Sequence, residues 1–567
     1  MWNLQKNIMK RLFTILLLLL IQGNIFSKNL DVIIVFKSNL SWKNANYISS
    51  KEAKGKFVFE QLQAQTKNQN EVQQFFKANN IFFESFWIIN AIRVVADEHI
   101  IAQLATFKNI EKIVPNSSFT YSKPIATVQQ RTLEATDILA ATWGINKIEA
   151  DSVWTLGIKG QGAVVAGQDT GYDFEHPAIF EQYRGNTDGN IDHNYNWHDA
   201  IHSKTPNNPD SNNPCGYNSM QPCDDGQHGT HTMGTCVGLD SINDKIIGVA
   251  PKAKWIGCRN MDRGDGLLST YVECFQFFLA PTDTANLNPN TDLAPDVINN
   301  SWGCPISEGC NSTNFSVMES VVDALVAAGI VVVVSNGNSG SACRTTSDAA
   351  AFFKNSFSVG ATNGTDVVAG FSSRGNVTYN GNTYTKPDIS APGVSVMSCV
   401  PGGGYNSFSG TSMAGPHVAG LVALIISANP DLRGDVAQII DIIKSTAKKI
   451  YTNETCGGDN NTSYPNNTYG YGRIDALAAV QEAIRRKTTL SINDEKQLIS
   501  NNFFTDLIFF KEQVINQRFN IYDNKGDLIK SEIVNGVSWN LSQLPKGVYF
   551  INTIIKNKAI AQRIVKL

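Results

Sequence analysis

The sequence predicts a three-part chain: a central α/β domain on a covered parallel sheet, a small α+β module before it, and a small β-sandwich after it. Three observations point there. From about Trp143, short apolar runs without alternation (163–166, 297–298, 330–334 and 356–359) are interleaved with helical patterns, as buried parallel strands are. Residues 28–115 instead alternate strand-like and helix-like segments over a module-sized length. Beyond Thr488 short strands recur between turn signals such as Asp523-Asn-Lys-Gly526, the spacing of a small sandwich of about 80 residues. The 567 residues suffice for several domains of ~150 residues each. At 42% hydrophobic and 17% charged, a largely disordered chain is excluded. Lys+Arg number 47 against 50 Asp+Glu, a net of −3, which gives no footing for a nucleic-acid partner.

The N-terminus carries Lys6, Lys10 and Arg11 before an apolar run over 12–21 and small or polar residues such as Gly23 and Ser27. That run is half of what a membrane span needs, so 1–27 reads as a secretory signal. No other stretch is expected to cross a membrane once it is removed. In 28–115, Asp31-Val-Ile-Ile-Val-Phe36 predicts a strand, 51–77 mostly helix, 86–96 dense apolar structure, 98–107 a helix and 110–114 a last strand. The polar stretch 116–130 reads as a linker, giving a module plus linker over 28–135. All ten cysteines lie between Cys215 and Cys456, and an exported chain keeps disulfides. Two or three are expected. Cys215/Cys223 and Cys304/Cys310 are spaced for small loops, whereas Cys258 and Cys274 are equally readable as buried thiols.

Three segments of the central domain carry chemistry. In Val164-Val-Ala-Gly-Gln-Asp169-Thr-Gly171 a buried strand ends in a carboxylate, at the sheet edge where α/β sites form. In Gln227-His228-Gly-Thr-His231-Thr-Met-Gly234 a histidine opens a helix of small residues. In Phe408-Ser-Gly-Thr-Ser412-Met-Ala-Gly-Pro416-His417-Val-Ala-Gly420 a serine opens an apolar, hence buried, helix. The helix N-terminus favours the negative charge that develops as a hydroxyl loses its proton.

Taken as Asp, His, Ser in chain order, these segments resemble the subtilisin-like serine proteases, whose triad runs in that order. The resemblance covers roughly 143–485 and implies a three-layer α/β domain over 136–485. It implies Ser412 as nucleophile, His228 as base and acid, and Asp169 as the group that orients the imidazole. His231 and His417 are then structural, and His176 belongs to the loop after the first strand. Val331-Val-Val-Val-Ser335-Asn336-Gly337-Asn338 resembles the family's oxyanion strand, with Asn338 as donor and Asn336 as the competing candidate; Ser335, Asn336 and Gly337 would also line the substrate. Asn299-Asn-Ser301-Trp302-Gly303 resembles the segment that binds the substrate backbone as an added strand. Residues 254–261, 273–281 and 301–304 look similar to the bacillopeptidase F-like branch.

On the same footing, 28–115 resembles the family's inhibitory propeptide, and 489–567 resembles the sorting domains of the Bacteroidetes type IX secretion system. In the latter, Asn502 replaces the usual proline of the opening motif and Leu567 extends the tail. The expectation is a secreted or surface endopeptidase of a Gram-negative bacterium, made as a zymogen. Its partners would be protein or peptide substrates, its own propeptide and the type IX machinery. No cofactor is needed for the chemistry; Asp188, Asp192, Asp224 and Asp225 are candidates for structural calcium. The competing readings are an inactive binding or adhesion protein that kept the fold, a metal-dependent hydrolase using His228 and His231, and, for the last module, a carbohydrate-binding accessory with Trp539. Residues 136–485 hold 19 Lys and Arg against 34 Asp and Glu, a net of −15, so −3 is a cancellation against basic flanks.

Overall fold

The computed structural model describes residues 29–120, 125–126, 141–208, 213–242, 245–303, 312–494, 499–500, 503–510, 517–536, 538–555 and 558–567. The expected signal, the Cys304/Cys310 pair and the first two residues of the Asn501-Asn-Phe-Phe motif lie outside them. The chain divides into two compact units, one up to Val480 and one from Gln481.

The first unit opens with strand β1 (Asn29–Phe36), helices α1 (Lys51–Gln65) and α2 (Asn70–Ala78), and strands β2 (Phe83–Phe86), β3 (Ala91–Asp97) and β4 (Ile110–Pro115). The strands form an antiparallel sheet in the order β2-β3-β1-β4. Ser50 starts α1 by accepting the amide of Ala53, an ordinary N-cap. Successive strand side chains point to opposite faces, which explains the unbroken apolar run of β1. Val32, Ile34 and Phe36 pack with Val72 and Phe76 of α2. Ile33 and Val35 belong instead to a second core that joins Val58 and Leu62 of α1 with residues of the following domain, so the module shares that face with its partner.

The polar stretch after β4, expected as a linker, is a correction: Asn116 is buried, and short strands β5 (Ser118–Thr120) and β6 (Ile125–Ala126) follow it. Both pair with edges of the next domain through their main chain, a contact that leaves no mark in side-chain polarity.

That domain is built on a parallel sheet of β7 (Val164–Asp169), β8 (Trp197–Asp199), β9 (Lys254–Arg259), β11 (Val297–Asn300), β12 (Val331–Ser335), β13 (Phe357–Thr362) and β14 (Ile389–Pro392), in the order β8-β9-β7-β11-β12-β13-β14. Short β10 (Asp265–Leu267) and β15 (Gly404–Ser409) are the edges that receive β5 and β6. The helices that matter here are α3 (His228–Val237), α4 (Leu268–Leu279), α5 (Ser312–Ala327) and α6 (Thr411–Ala428). Helix α6 is buried from Thr411 to Ile426. By length and composition it is apolar enough to cross a membrane, with 89% of its window buried in the fold; this corrects the expectation that no stretch beyond the N-terminus is long and apolar enough to do so, since a core helix and a span share a composition.

Cys215 pairs with Cys223 as expected, Cys258 with Cys274, and Cys343 with Cys456; Cys236 and Cys399 are buried free thiols. The second unit holds a five-stranded sheet, Phe503–Phe504, Lys558–Lys566, Gly547–Ile555, Arg518–Tyr522 and Leu528–Ile533 in spatial order, and a two-stranded one. Its core includes Phe510, Phe519, Ile551 and Trp539. Trp539 is therefore a core residue, donating to Glu532, and offers no sugar platform.

Candidate active site

Strand β7 is flanked by β9 and β11, so the chain leaves it in both directions and a crevice opens at its carboxyl end. Asp169 stands there, 1% exposed. Its Oδ1 accepts the Thr170 amide at 2.8 Å. His228, fully buried at the first position of α3, donates from Nδ1 to Oδ1 and Oδ2 at 2.8 and 2.9 Å. A carboxylate can only accept, so Nδ1 carries the proton and the neutral ring is left with Nε2 as its basic nitrogen. The small residues of the histidine segment follow from this approach. A Cβ on Gly229 would lie 2.0 Å from the Gly171 carbonyl and 3.0 Å from Asp169 Cβ.

Ser412 is the second residue of α6. Its hydroxyl donates to the Ser301 carbonyl at 2.9 Å, and the Ser301 hydroxyl donates back to the Ser412 carbonyl at 2.9 Å. Pro416 explains the second bond. A proline inside a helix has no N–H for the carbonyl four residues earlier, and that carbonyl is Ser412's own. Ser301 is further held by Asn299, whose amide donates to its hydroxyl at 2.8 Å.

Asn338 lies just past β12. Its Oδ1 accepts from the Thr411 amide at 2.9 Å and the Thr411 hydroxyl at 3.0 Å, capping α6 from outside the helix. Because an amide N–H must donate to oxygen, the side chain is oriented, and its Nδ2 lies 3.8 Å from the position of a Cβ on Gly410. Asn336 is placed differently: fully buried, it donates to Thr346 Oγ1 at 3.0 Å and to the Ser373 carbonyl at 2.8 Å. Ser335 is buried at the end of β12. Trp302 is buried against Tyr271, ring centroids 4.2 Å apart. Gly303 and Gly337 both face Asp348, which the sequence reading passed over: a Cβ on either would sit 2.5 and 3.0 Å from Asp348 Oδ2.

The other histidines serve the fold. His231 Nε2 faces the carbonyls of Val396 and Asn406, both at 3.1 Å. Burial pushes it down to about 3. Burial brings His417 down to about 4, its Nδ1 on the Met413 carbonyl. His176 caps the Pro177–Phe180 helix. The proposed calcium carboxylates do not converge. Asp224 accepts from Thr170, Gly226, Gln227 and Thr230. Asp225 pairs with Arg259, and Asp192 with Asn194. Among the described residues no group of three His, Cys, Asp or Glu is arranged to hold a metal.

The model of the subtilase family matches residues 160–472, more than half of the chain. This chain belongs to the subtilase family. The secretion system C-terminal sorting domain matches 500–567. Relatives of this subtilase include bacillopeptidase F of Bacillus subtilis, 36% identical over 420 residues, 71% of this chain and 26% of that protein. Subtilisin E of Bacillus subtilis is 32% identical over 60% of this chain and 71% of its own length. Subtilisin of Bacillus pumilus is 31% identical over 60% of the chain and 98% of its own. The chain thus spans about a quarter of bacillopeptidase F and most of the subtilisins.

Proposed function

We propose that this subtilase is a secreted serine endopeptidase, made as a zymogen, that hydrolyses extended protein segments through Asp169, His228 and Ser412. What supports the reading is the Asp169–His228 pair, protonated at Nδ1, together with a serine at the N-terminus of a buried helix that packs on α3. The Ser412 hydroxyl turns from the Ser301 carbonyl to Nε2, which takes its proton as Oγ attacks the scissile carbonyl. Asn338 Nδ2 and the helix N-terminus receive the oxyanion. The imidazolium, held by Asp169, then gives its proton to the leaving amine. Water, deprotonated by the same nitrogen, releases the acyl group and restores the serine. No metal or cofactor takes part in this sequence.

The zymogen reading rests on the chain's own segments. Strands β5 and β6 lie on β10 and on β15, and β15 ends three residues before Ser412. An extended substrate adds to such edges by main-chain pairing. We assign 1–27 as signal, 28–135 as inhibitory propeptide and its tail, 136–485 as the catalytic domain, and 489–567 as the domain that directs type IX export across the outer membrane. The bond cut in maturation is assigned to the stretch between about residues 115 and 142.

The test pairs a fluorophosphonate probe with processing of purified protein. Wild type is expected to label at Ser412 and to be trimmed between about residues 115 and 142, while Ser412→Ala stays full length and unlabelled. A folded wild-type protein that resists the probe would favour the inactive binding protein. Trimming of Ser412→Ala at the same bond would remove the autoprocessing step.

A further inference from the structure

We propose that Asp348 forms the floor of the pocket for the substrate side chain preceding the scissile bond and selects lysine or arginine there. This rests on the endopeptidase reading above and names its substrate class. Asp348 is 7% exposed. Its Oδ1 is buried without a hydrogen-bond partner, and no charged group accompanies it. Elsewhere in this domain buried carboxylates are spent: Asp296 on Lys51 and Arg433, Asp388 on Lys386 and Lys444, Asp199 on Arg259. A buried carboxylate without a partner is costly, and a cation arriving from solvent relieves that cost.

The position of the carboxylate says which cation. Its Oδ2 occupies the space that side chains at 303 and 337 would fill. The backbone at Gly303 is not in the left-handed region, so glycine is required there by the carboxylate rather than by conformation. Gly303 lies two residues beyond Ser301, whose carbonyl holds Ser412 Oγ. Gly337 immediately precedes Asn338, which holds Thr411. Two backbone segments that hold the serine and its neighbour therefore meet, without side chains, over one negative charge. Two residues of extended chain span at most roughly 7 Å, a depth suited to a long side chain with a terminal charge. Burial raises the Asp348 carboxyl to about 6, leaving it ionised at neutral pH and above.

Three peptide amides identical except for arginine, lysine or norleucine before the scissile bond test the assignment on mature protein. Wild type is expected to show kcat/KM at least about 100-fold higher for the cationic pair, as sites built around a buried polar group reject analogues that leave it unpaired. Asp348→Asn should collapse that ratio at least 30-fold. A wild type that favours norleucine overturns the proposal, as does an Asp348→Asn protein in which all three rates fall together. Should Asp348→Asn fail to fold, the wild-type panel alone decides. A wild type that neither takes the fluorophosphonate nor cleaves any of the three peptides fails the endopeptidase reading itself, and the assignment falls with it.

Discussion

Asn338→Ala removes two things at once, and the structure separates them. Its Nδ2 is the proposed donor to the oxyanion, and losing one such donor costs ~10²–10³ in kcat, about 2.7–4 kcal/mol. Its Oδ1 receives two hydrogen bonds from Thr411, worth about 0.5–1.5 kcal/mol each, so the variant should also lose roughly 1–3 kcal/mol of stability. Asn338→Asp keeps the acceptor and replaces the donor by a negative oxygen. It should hold wild-type stability at neutral pH and lose at least as much kcat. Asn336→Ala is the converse: it strips partners from Thr346 Oγ1 and the Ser373 carbonyl, so stability should fall by about 1–3 kcal/mol with kcat per active site near wild type. The assay is burst titration for active sites, steady-state kcat, and thermal melts. Asn338→Ala retaining kcat within fivefold would falsify the donor role, and exchanged phenotypes would give that role to Asn336.

Three further outcomes are expected. Burial alone would lower His202, but the hydrogen bond and charge of Glu273 outweigh it and lift the ring to about 9; against its own burial, Glu273 is drawn down to about 2 by His198 and His202. The stability this cluster adds is therefore complete between the ordinary glutamate and histidine values and fades on the alkaline side as pH climbs from 6.5 through about 9. Melts of His202→Gln should show a flatter slope over that range, and an unchanged slope counts against the coupling. Lys51 of the proposed propeptide reaches Asp296 and the Ala294 carbonyl, both at 2.7 Å; because Arg433 also holds Asp296, Lys51→Met should cost only about 2 kcal/mol, read as ~30-fold weaker inhibition by the cleaved propeptide. Inhibition at wild-type strength would show that the pair does not drive docking. Joint replacement of Cys343 and Cys456 by alanine opens a link across 113 residues, for which chain entropy sets a loss of up to about 5 kcal/mol; a melting point shifted by less than one degree would contradict it.

How far the site was readable depended on distance along the chain. Asp169, His228 and Ser412 announce themselves because each sits in a local run of small residues, and the reason is visible in Gly229, where a Cβ would strike the Gly171 carbonyl. Asn338 was readable from the strand before it. Asp348 was not, because the residues that define its surroundings are Gly303 and Gly337, and nothing in Thr-Ser-Asp-Ala-Ala marks a pocket. The 116–126 stretch reads as polar and unstructured because main-chain pairing to β10 and β15 requires no particular side chains. The sequence does not decide the Cys258–Cys274 bond, since apolar neighbours suit a thiol and a disulfide equally.

Local pattern is enough for the fold class and the family, and it nominates the proposed catalytic set, because strand burial, helix starts and close backbone approach are written into neighbouring residues. Tertiary structure alone decides which face of β1 shares its core with the next domain, that Asn338 caps Thr411 while Asn336 is buried on Thr346 and Ser373, why Pro416 leaves the Ser412 carbonyl to Ser301, and where an unpaired carboxylate waits. Each of these depends on groups brought together across tens to hundreds of residues, and their energies come from desolvation and pairing that exist only once the chain has closed around them.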